Sequence, residues 1–160
     1  MIVAILLLLP VGLMLYAYLV YPLLLRAGSI AADGKLPAED PPEWPTVSIT
    51  VPAHNEAGSI GDTIEALLTL DYPAERRQIL IVSDASTDGT DDIVRRYANR
   101  GVELLRLETR GGKTAAENAA ARHLTGEIVI NTDATIRILP DALKPLIRVF
   151  QDRTIGVASG

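Results

Sequence analysis

Three short polar clusters in this sequence hold residue types that bind charge: Pro52-Ala53-His54-Asn55-Glu56, Ser83-Asp84-Ala85-Ser86-Thr87-Asp88-Gly89-Thr90 and Asn131-Thr132-Asp133-Ala134-Thr135. A fourth, Gly111-Gly112-Lys113-Thr114, lies between the last two. An acidic, glycine-poor set of this kind suits a divalent cation bridging a diphosphate, with carboxylates and carbonyls turned towards base and ribose. It does not suit a dinucleotide, because no G-x-G-x-x-G follows any strand-like run. The Gly112-Lys113-Thr114 triplet is not a P-loop either, since the glycine that motif needs five residues earlier is replaced by Leu107.

Each cluster follows a segment able to hold it in place. Strand-like runs occur at Val47–Val51, Ile79–Val82, Val102–Leu107, Ile128–Ile130 and Ile155–Ala158, separated by stretches of helical spacing. Ser59 and Asp62 form a capping-box pattern, after which Ile60, Ile64, Leu67 and Leu68 share a helical face. Thr90 is placed to cap a second helix, with Asp91 and Asp92 in its first turn and Arg95, Arg96 and Arg100 towards its end. An alanine-rich helix over about Thr114 to His123 can approach a sheet closely. A fourth helix is expected from Pro140, burying Leu143, Ile147 and Phe150, with Pro145 kinking or ending it. This βαβ rhythm predicts an α/β fold with a mostly parallel sheet, whose ligands sit at the carboxyl ends of the strands. The three clusters then meet at one edge.

The amino-terminal part is different in kind. Met1 to Leu25 carries no charged side chain, and as a helix it would span roughly 38 Å, more than a bilayer core of about 30 Å. It lacks the basic start and the short apolar stretch of a signal peptide, so residues 1–25 are expected to be a transmembrane helix. Pro10 and Pro22 are tolerable there at the cost of a kink, and Tyr16, Tyr18 and Tyr21 either mark an interface or simply pack. Arg26 and Lys35 follow the helix, which by the positive-inside rule puts the remainder in the cytoplasm at the cell membrane. Residues 26–45, with Gly28, Gly34, Pro37, Pro41, Pro42 and Pro45, read as an extended linker, and the globular part as 46–160.

Composition narrows the remaining classes. The 160 residues are 48% hydrophobic and contain no cysteine, which excludes disulfide scaffolds, thiolate metal sites and cysteine nucleophiles. A net charge of -5 argues against a nucleic-acid partner, whose footprint is a basic patch.

The run Val47-Ser48-Ile49-Thr50-Val51-Pro52-Ala53-His54-Asn55-Glu56, then Ile81-Val82-Ser83-Asp84-Ala85-Ser86-Thr87-Asp88-Gly89-Thr90, then Gly112-Lys113-Thr114-Ala115-Ala116-Glu117-Asn118 resembles, in that order, the nucleotide-sugar half of the family 2 glycosyltransferases of the GT-A fold. Thr132-Asp133-Ala134-Thr135, Pro140-Asp141-Ala142-Leu143 and the closing Ile155-Gly156-Val157-Ala158-Ser159-Gly160 continue the pattern, as does an apolar helix ending in Tyr21-Pro22-Leu23-Leu24.

The resemblance implies that Pro52, His54 and Glu56 line a nucleoside pocket, that Asp84 hydrogen-bonds the base and that Lys113 lies near the nucleotide. Asp133 matches the first acid of the family's D-x-D motif, which binds ribose and holds a divalent cation, Mg²⁺ or Mn²⁺, against the diphosphate. The third position is Thr135, so any metal would rest on Asp133, the phosphates and water. The implied donor is a nucleotide-diphosphate sugar, a UDP-sugar foremost, and the implied reaction is attack of an acceptor hydroxyl on its anomeric carbon. The catalytic base and a Q-x-x-R-W segment belong to the family's acceptor half, which lies beyond these residues, so this chain is expected to bind nucleotide and to transfer little or nothing alone.

Blander readings stand beside these. Taken singly, Asp84, Asp88 and Asp133 read as turn formers or caps, and for Asp88 beside Gly89 and Thr90 that reading leads. His54 has no partner in the sequence to orient it as a base and reads as packing near backbone; Lys113 also reads as a solvated helix-start lysine, and His123 as structural. A nucleotidyltransferase of related fold would need a basic, glycine-rich loop where His54-Asn55-Glu56 stands. A non-catalytic, membrane-tethered binding module is the alternative from another class.

Overall fold

The computed structural model describes residues 2–31 and 39–159, with side chains of the first stretch described over 8–28. The chain divides into two units, Met1–Ala38 and Glu39–Gly160.

The first unit is helical: α1 (Ile2–Leu15), a π-helical turn (Tyr16–Val20) and α2 (Tyr21–Ala31). The wide turn has an identifiable cause. Pro22 carries no N–H, and its ring crowds the carbonyl four residues back, so the turn before it opens and the Tyr21 N–H reaches the Tyr16 carbonyl instead. The span Leu8–Gly28, 21 residues of mean hydropathy 1.9, is long and apolar enough to cross a membrane. The helix runs past the expected end at Leu25 and takes in Arg26 and Gly28. Gly34, Lys35 and Pro37, on which the linker and part of the orientation argument rest, lie outside the described residues.

The second unit is built on four parallel strands, β1 (Val47–Ala53), β2 (Arg77–Asp84), β3 (Val102–Leu107) and β4 (Ile128–Asn131), in the order β3-β2-β1-β4. Helices α3 (Ile60–Leu68), α4 (Thr90–Arg95) and α5 (Lys113–Ala120) make the crossovers, and α6 (Leu143–Arg148) follows β4. Alternation along the strands divides the core. Val47, Ile49, Val51, Ile79 and Ile81 form one cluster with Ile60, Ile64 and Leu67 of α3, Val94 of α4 and Leu143 and Ile147 of α6. Each fully buried side chain of α3 contributes about 2 kcal/mol. The other cluster joins Leu80 and Val82 to Ala116 and Ala120, whose small side chains bring α5 onto the sheet. Ser48 and Thr50 are buried as well, and donate to Gln78 Oε1 and Asn131 Oδ1, each at 2.5 Å.

Five local expectations are corrected. Ser59 precedes α3 but makes no capping bond, because its hydroxyl donates to the Glu56 carboxylate at 2.6 Å. Thr90 is the first residue of α4 rather than its cap; Asp88 receives its amide at 3.1 Å and its hydroxyl at 2.6 Å. Helix α5 stops at Ala120, short of His123. Helix α6 starts at Leu143 rather than Pro140, which puts Pro145 in the first turn, where a missing N–H costs no intrahelical bond. Ile155–Ala158 forms no strand, since no neighbouring strand pairs with it, and Val157 is 88% exposed.

The stretch Glu39–Pro45, at the end of the expected linker, packs on the second unit. Trp44 meets Tyr72 edge to face at 5.6 Å, the Tyr72 hydroxyl donates to the Pro45 carbonyl at 2.5 Å, and Asp40 pairs with Arg148. Burial pushes the Tyr72 phenol up to about 12.

Candidate functional site

The carboxyl end of β1 is shaped by Pro52. Thr46 and Thr50 carbonyls accept from Ile128 and Thr132 amides of β4 and the residue after it, so the even-numbered backbone groups of β1 face β4. Pairing with β4 stops at Thr50, and Pro52, two residues on, sits where no ladder bond is needed while remaining in register with Val82 of β2. His54 follows, and its Nδ1 lies 2.6 Å from the Asp84 carbonyl oxygen, which ties the end of β1 to the end of β2. The expected packing of His54 against backbone is thus what the structure contains. Asn55 turns the chain at φ 57°, accepts the Thr87 amide at 2.8 Å and donates its own amide to Ser86 Oγ at 3.1 Å. Glu56 donates its amide to Thr90 Oγ1 at 2.9 Å, and Ala57 donates to Asp88 Oδ2 at 2.9 Å. These bonds stitch the loop after β1 to the loop after β2. The Glu56 carboxylate is turned back onto Ser59 and joins none of the other candidate residues.

Asp84 ends β2 and is 4% exposed. Its two carboxylate oxygens accept the amides of Gly111 and Gly112, each at 2.7 Å, and these amides hold the carboxyl below the usual carboxylate range. The loop they belong to needs both glycines. Gly112 sits at φ 81°, and a Cβ on Gly111 would lie 2.5 Å from that of Ala115. Lys113 follows as the first residue of α5 and reaches across to the turn after β4, where its Nζ lies 2.6 Å from Asp133 Oδ1. The pair is about half exposed on both sides, and the Asp133 carboxylate raises the lysine above its ordinary pKa. Four of the six expected residues are therefore linked in a line, His54 to Asp84, Asp84 through the glycine amides to Lys113, and Lys113 to Asp133.

Two features went unread in the sequence. Asp91, expected to serve the α4 dipole, is buried and accepts Ser83 Oγ at 2.5 Å, while its other oxygen pairs with Arg106 of β3. Arg106 also donates to the Ser86 carbonyl at 3.1 Å, so this pair braces the loop after β2. An arginine near the carboxyl end of a strand whose other inner residues, Leu104 and Leu105, are apolar was the available signal. Ala85, beside Asp84, is held at φ 54°, a conformation that carries strain for a residue with a Cβ.

The residues near Asp133 do not fit a divalent cation held by the protein. Among the described residues no group of three His, Cys, Asp or Glu side chains gathers. Thr135 offers an exposed hydroxyl at the third motif position, and an ammonium already faces Asp133 Oδ1.

Known glycosyltransferases share this fold. The mannosyltransferase PcManGT of Pyrobaculum calidifontis, solved in complex with GDP-Man and Mn²⁺, superposes with a TM-score of 0.75 at 35% identity over 88% of this chain and 43% of its own. TarS of S. aureus in complex with UDP-GlcNAc gives 0.59 at 32% identity over 62% and 29%. Among curated relatives, the beta-monoglucosyldiacylglycerol synthase of Synechocystis sp. is 33% identical over 71% of this chain and 24% of that protein. The N-acetylglucosaminyltransferase of Mesorhizobium japonicum is 31% identical over 76% and 30%. The chain thus spans less than a third of the length of these curated relatives. The sheet and its helices are those of a GT-A glycosyltransferase fold, and the profile of Glycosyl transferase family 2 matches residues 48–160. With the match covering most of its length, this chain belongs to glycosyl transferase family 2.

Proposed function

We propose that this chain is the donor-binding part of a membrane-anchored glycosyltransferase, which moves a sugar from a nucleoside diphosphate, UDP foremost, to an acceptor hydroxyl. The observation that carries the reading is the line of contacts from His54 through Asp84 and Lys113 to Asp133, at the carboxyl ends of β1, β2 and β4. Pro52, His54 and Glu56 border the nucleoside. Asp84 accepts an N–H of the base on the acceptor capacity its two amide bonds leave, because an ionised carboxylate has about four acceptor sites. Lys113 faces the diphosphate, where charge builds as the bond from the anomeric carbon to the phosphate oxygen breaks. Asp133 faces ribose and orients Lys113. The neighbouring structures, with GDP-Man bound in one and UDP-GlcNAc in another, support a nucleotide sugar and leave the base to be measured. Leu8–Gly28 supports the anchor, and Arg26 supports a cytoplasmic globular unit.

Calorimetric titration of UDP and of GDP into the full chain in detergent micelles tests this reading. One of the two binds, and Asp84→Asn weakens it at least tenfold while thermal melting shows a folded variant. Unchanged binding in Asp84→Asn overturns the base contact. Failure of both nucleotides to bind overturns the function.

A further inference from the structure

We propose that Lys113, held by Asp133, is the cation that meets the diphosphate in this chain, so that a nucleoside diphosphate binds here without a divalent metal. The inference rests on the nucleotide-sugar reading and goes beyond it, because it says which positive charge the phosphates find.

Four observations lead to it. The carboxylate at the first position of the acidic motif already has its cation, the Lys113 ammonium, 2.6 Å from Asp133 Oδ1. The position that would supply a second carboxylate is Thr135, and no other group of three candidate metal ligands gathers among the described residues. An ammonium has three N–H donors, and the bond to Asp133 uses one; with its side chain 55% exposed, the others are available to phosphate oxygens. The root of Lys113 is also fixed, because the amides of the two residues before it are held at 2.7 Å by Asp84, the residue assigned to the base. Base and diphosphate ends of a ligand are therefore read by parts of one hydrogen-bonded loop.

Competition strengthens the point. A divalent ion entering between Asp133 and the phosphates must displace the ammonium from Asp133, or sit beside it as a like charge. A diphosphate entering alone meets no such obstacle, since its oxygens add to the ammonium while Asp133 keeps it in place.

The experiment compares UDP and GDP binding to the full chain in detergent micelles, by calorimetry, in EDTA and in Mn²⁺. The wild-type dissociation constant in EDTA is expected to lie within about twofold of that in Mn²⁺. Lys113→Met loses at least tenfold in EDTA, in line with losing a charged hydrogen bond to an anion, and regains part of that in Mn²⁺ because Asp133 is freed. Lys113→Arg keeps metal-free binding within about threefold. Wild-type binding that is tenfold or more weaker in EDTA overturns the inference and leaves the nucleotide reading standing, and this comparison needs no variant. Undiminished binding by a folded Lys113→Met in EDTA also overturns it. If neither nucleotide binds in any buffer, the functional reading falls and this inference falls with it.

Discussion

At the scale of single residues, the site is held by carboxylates that accept backbone and hydroxyl donors. The amides of Gly111 and Gly112 keep Asp84 ionised to lower pH than an ordinary carboxylate, and the Thr90 hydroxyl with the Ala57 amide does the same for Asp88. Both shifts have the same sign, so the unfolded chain binds these protons more tightly than the folded one. The stabilisation is complete above the unfolded carboxylate pKa of about 3.9 and is lost as pH falls through the lower folded values. The urea midpoint of the full chain, followed by circular dichroism, is therefore expected to hold from pH 7 to about pH 5 and to fall below about pH 4. Asp84→Asn starts lower, having given up one charged acceptor, and falls less between pH 5 and pH 3. Parallel curves for the two proteins would mean that Asp84 does not couple to folding. Residue types and spacing were enough to bring Asp84 and Asp133 to one sheet edge, because polar residues just beyond parallel strands collect there, whereas Lys113 was singled out by the family resemblance. They were not enough to find the Lys113–Asp133 bond, which joins residues on either side of a crossover, or the buried Asp91–Arg106 pair, whose members looked like ordinary surface charges.

At the scale of elements, the strands were legible wherever a neighbour exists to pair with them. The runs expected at β1, β2, β3 and β4 all form, each extended or confirmed by its register with the next strand. Ile155–Ala158 has the same apolar character and remains irregular, because side-chain type alone does not make a strand without a partner ladder. The start of α6 was misplaced for a related reason: Pro140 permits a helix start, but its carbonyl is engaged by the Asp71 amide at 2.8 Å, and the helix begins three residues later. The least legible element is Glu39–Pro45, whose prolines suggested a tether. Its docking depends on Trp44, which is half-buried against Tyr72, with the Lys144 ammonium 5.7 Å from its ring centre and its carbonyl accepting Arg76 Nη1 at 2.8 Å. Trp44→Ala is expected to cost about 2 kcal/mol, below the range for a fully buried tryptophan, and to lower the melting temperature by several degrees. Trp44 is the sole tryptophan, so its fluorescence in the unsubstituted chain reports when the stretch detaches. A melting temperature unchanged in Trp44→Ala would show that Glu39–Pro45 adds nothing to the fold.

At the scale of the whole molecule, an apolar helix and a charged-ligand site have to be reconciled in one chain. Twenty-one helical residues from Leu8 to Gly28 span about 31 Å, the thickness of a hydrocarbon core, and their described side chains are all exposed within the first unit, as a lipid-facing helix requires. The π-helical turn before Pro22 keeps backbone groups bonded that a proline would otherwise leave unpaired, which matters most where no water is present to replace them. A nucleoside diphosphate cannot cross such a barrier, so a membrane-anchored donor site of the kind proposed is expected on the side where the donor is made. Arg26, near the carboxyl end of the apolar span, is expected on that same side by the positive-inside rule. The chain is expected to stay with the membrane pellet through alkaline carbonate extraction. Protease should then remove the globular unit from inside-out vesicles of the expression host and spare it in right-side-out vesicles. Adding two acidic residues after Gly28 is expected to leave this pattern unchanged, because acids contribute little to orientation, whereas placing three lysines before Ile2 together with Arg26→Gln reverses it. Release by carbonate would mean that the helix lies on or beside the membrane instead of through it. Cleavage only in right-side-out vesicles would put the nucleotide site on the side without donor, and the proposed transfer reaction would fail with it.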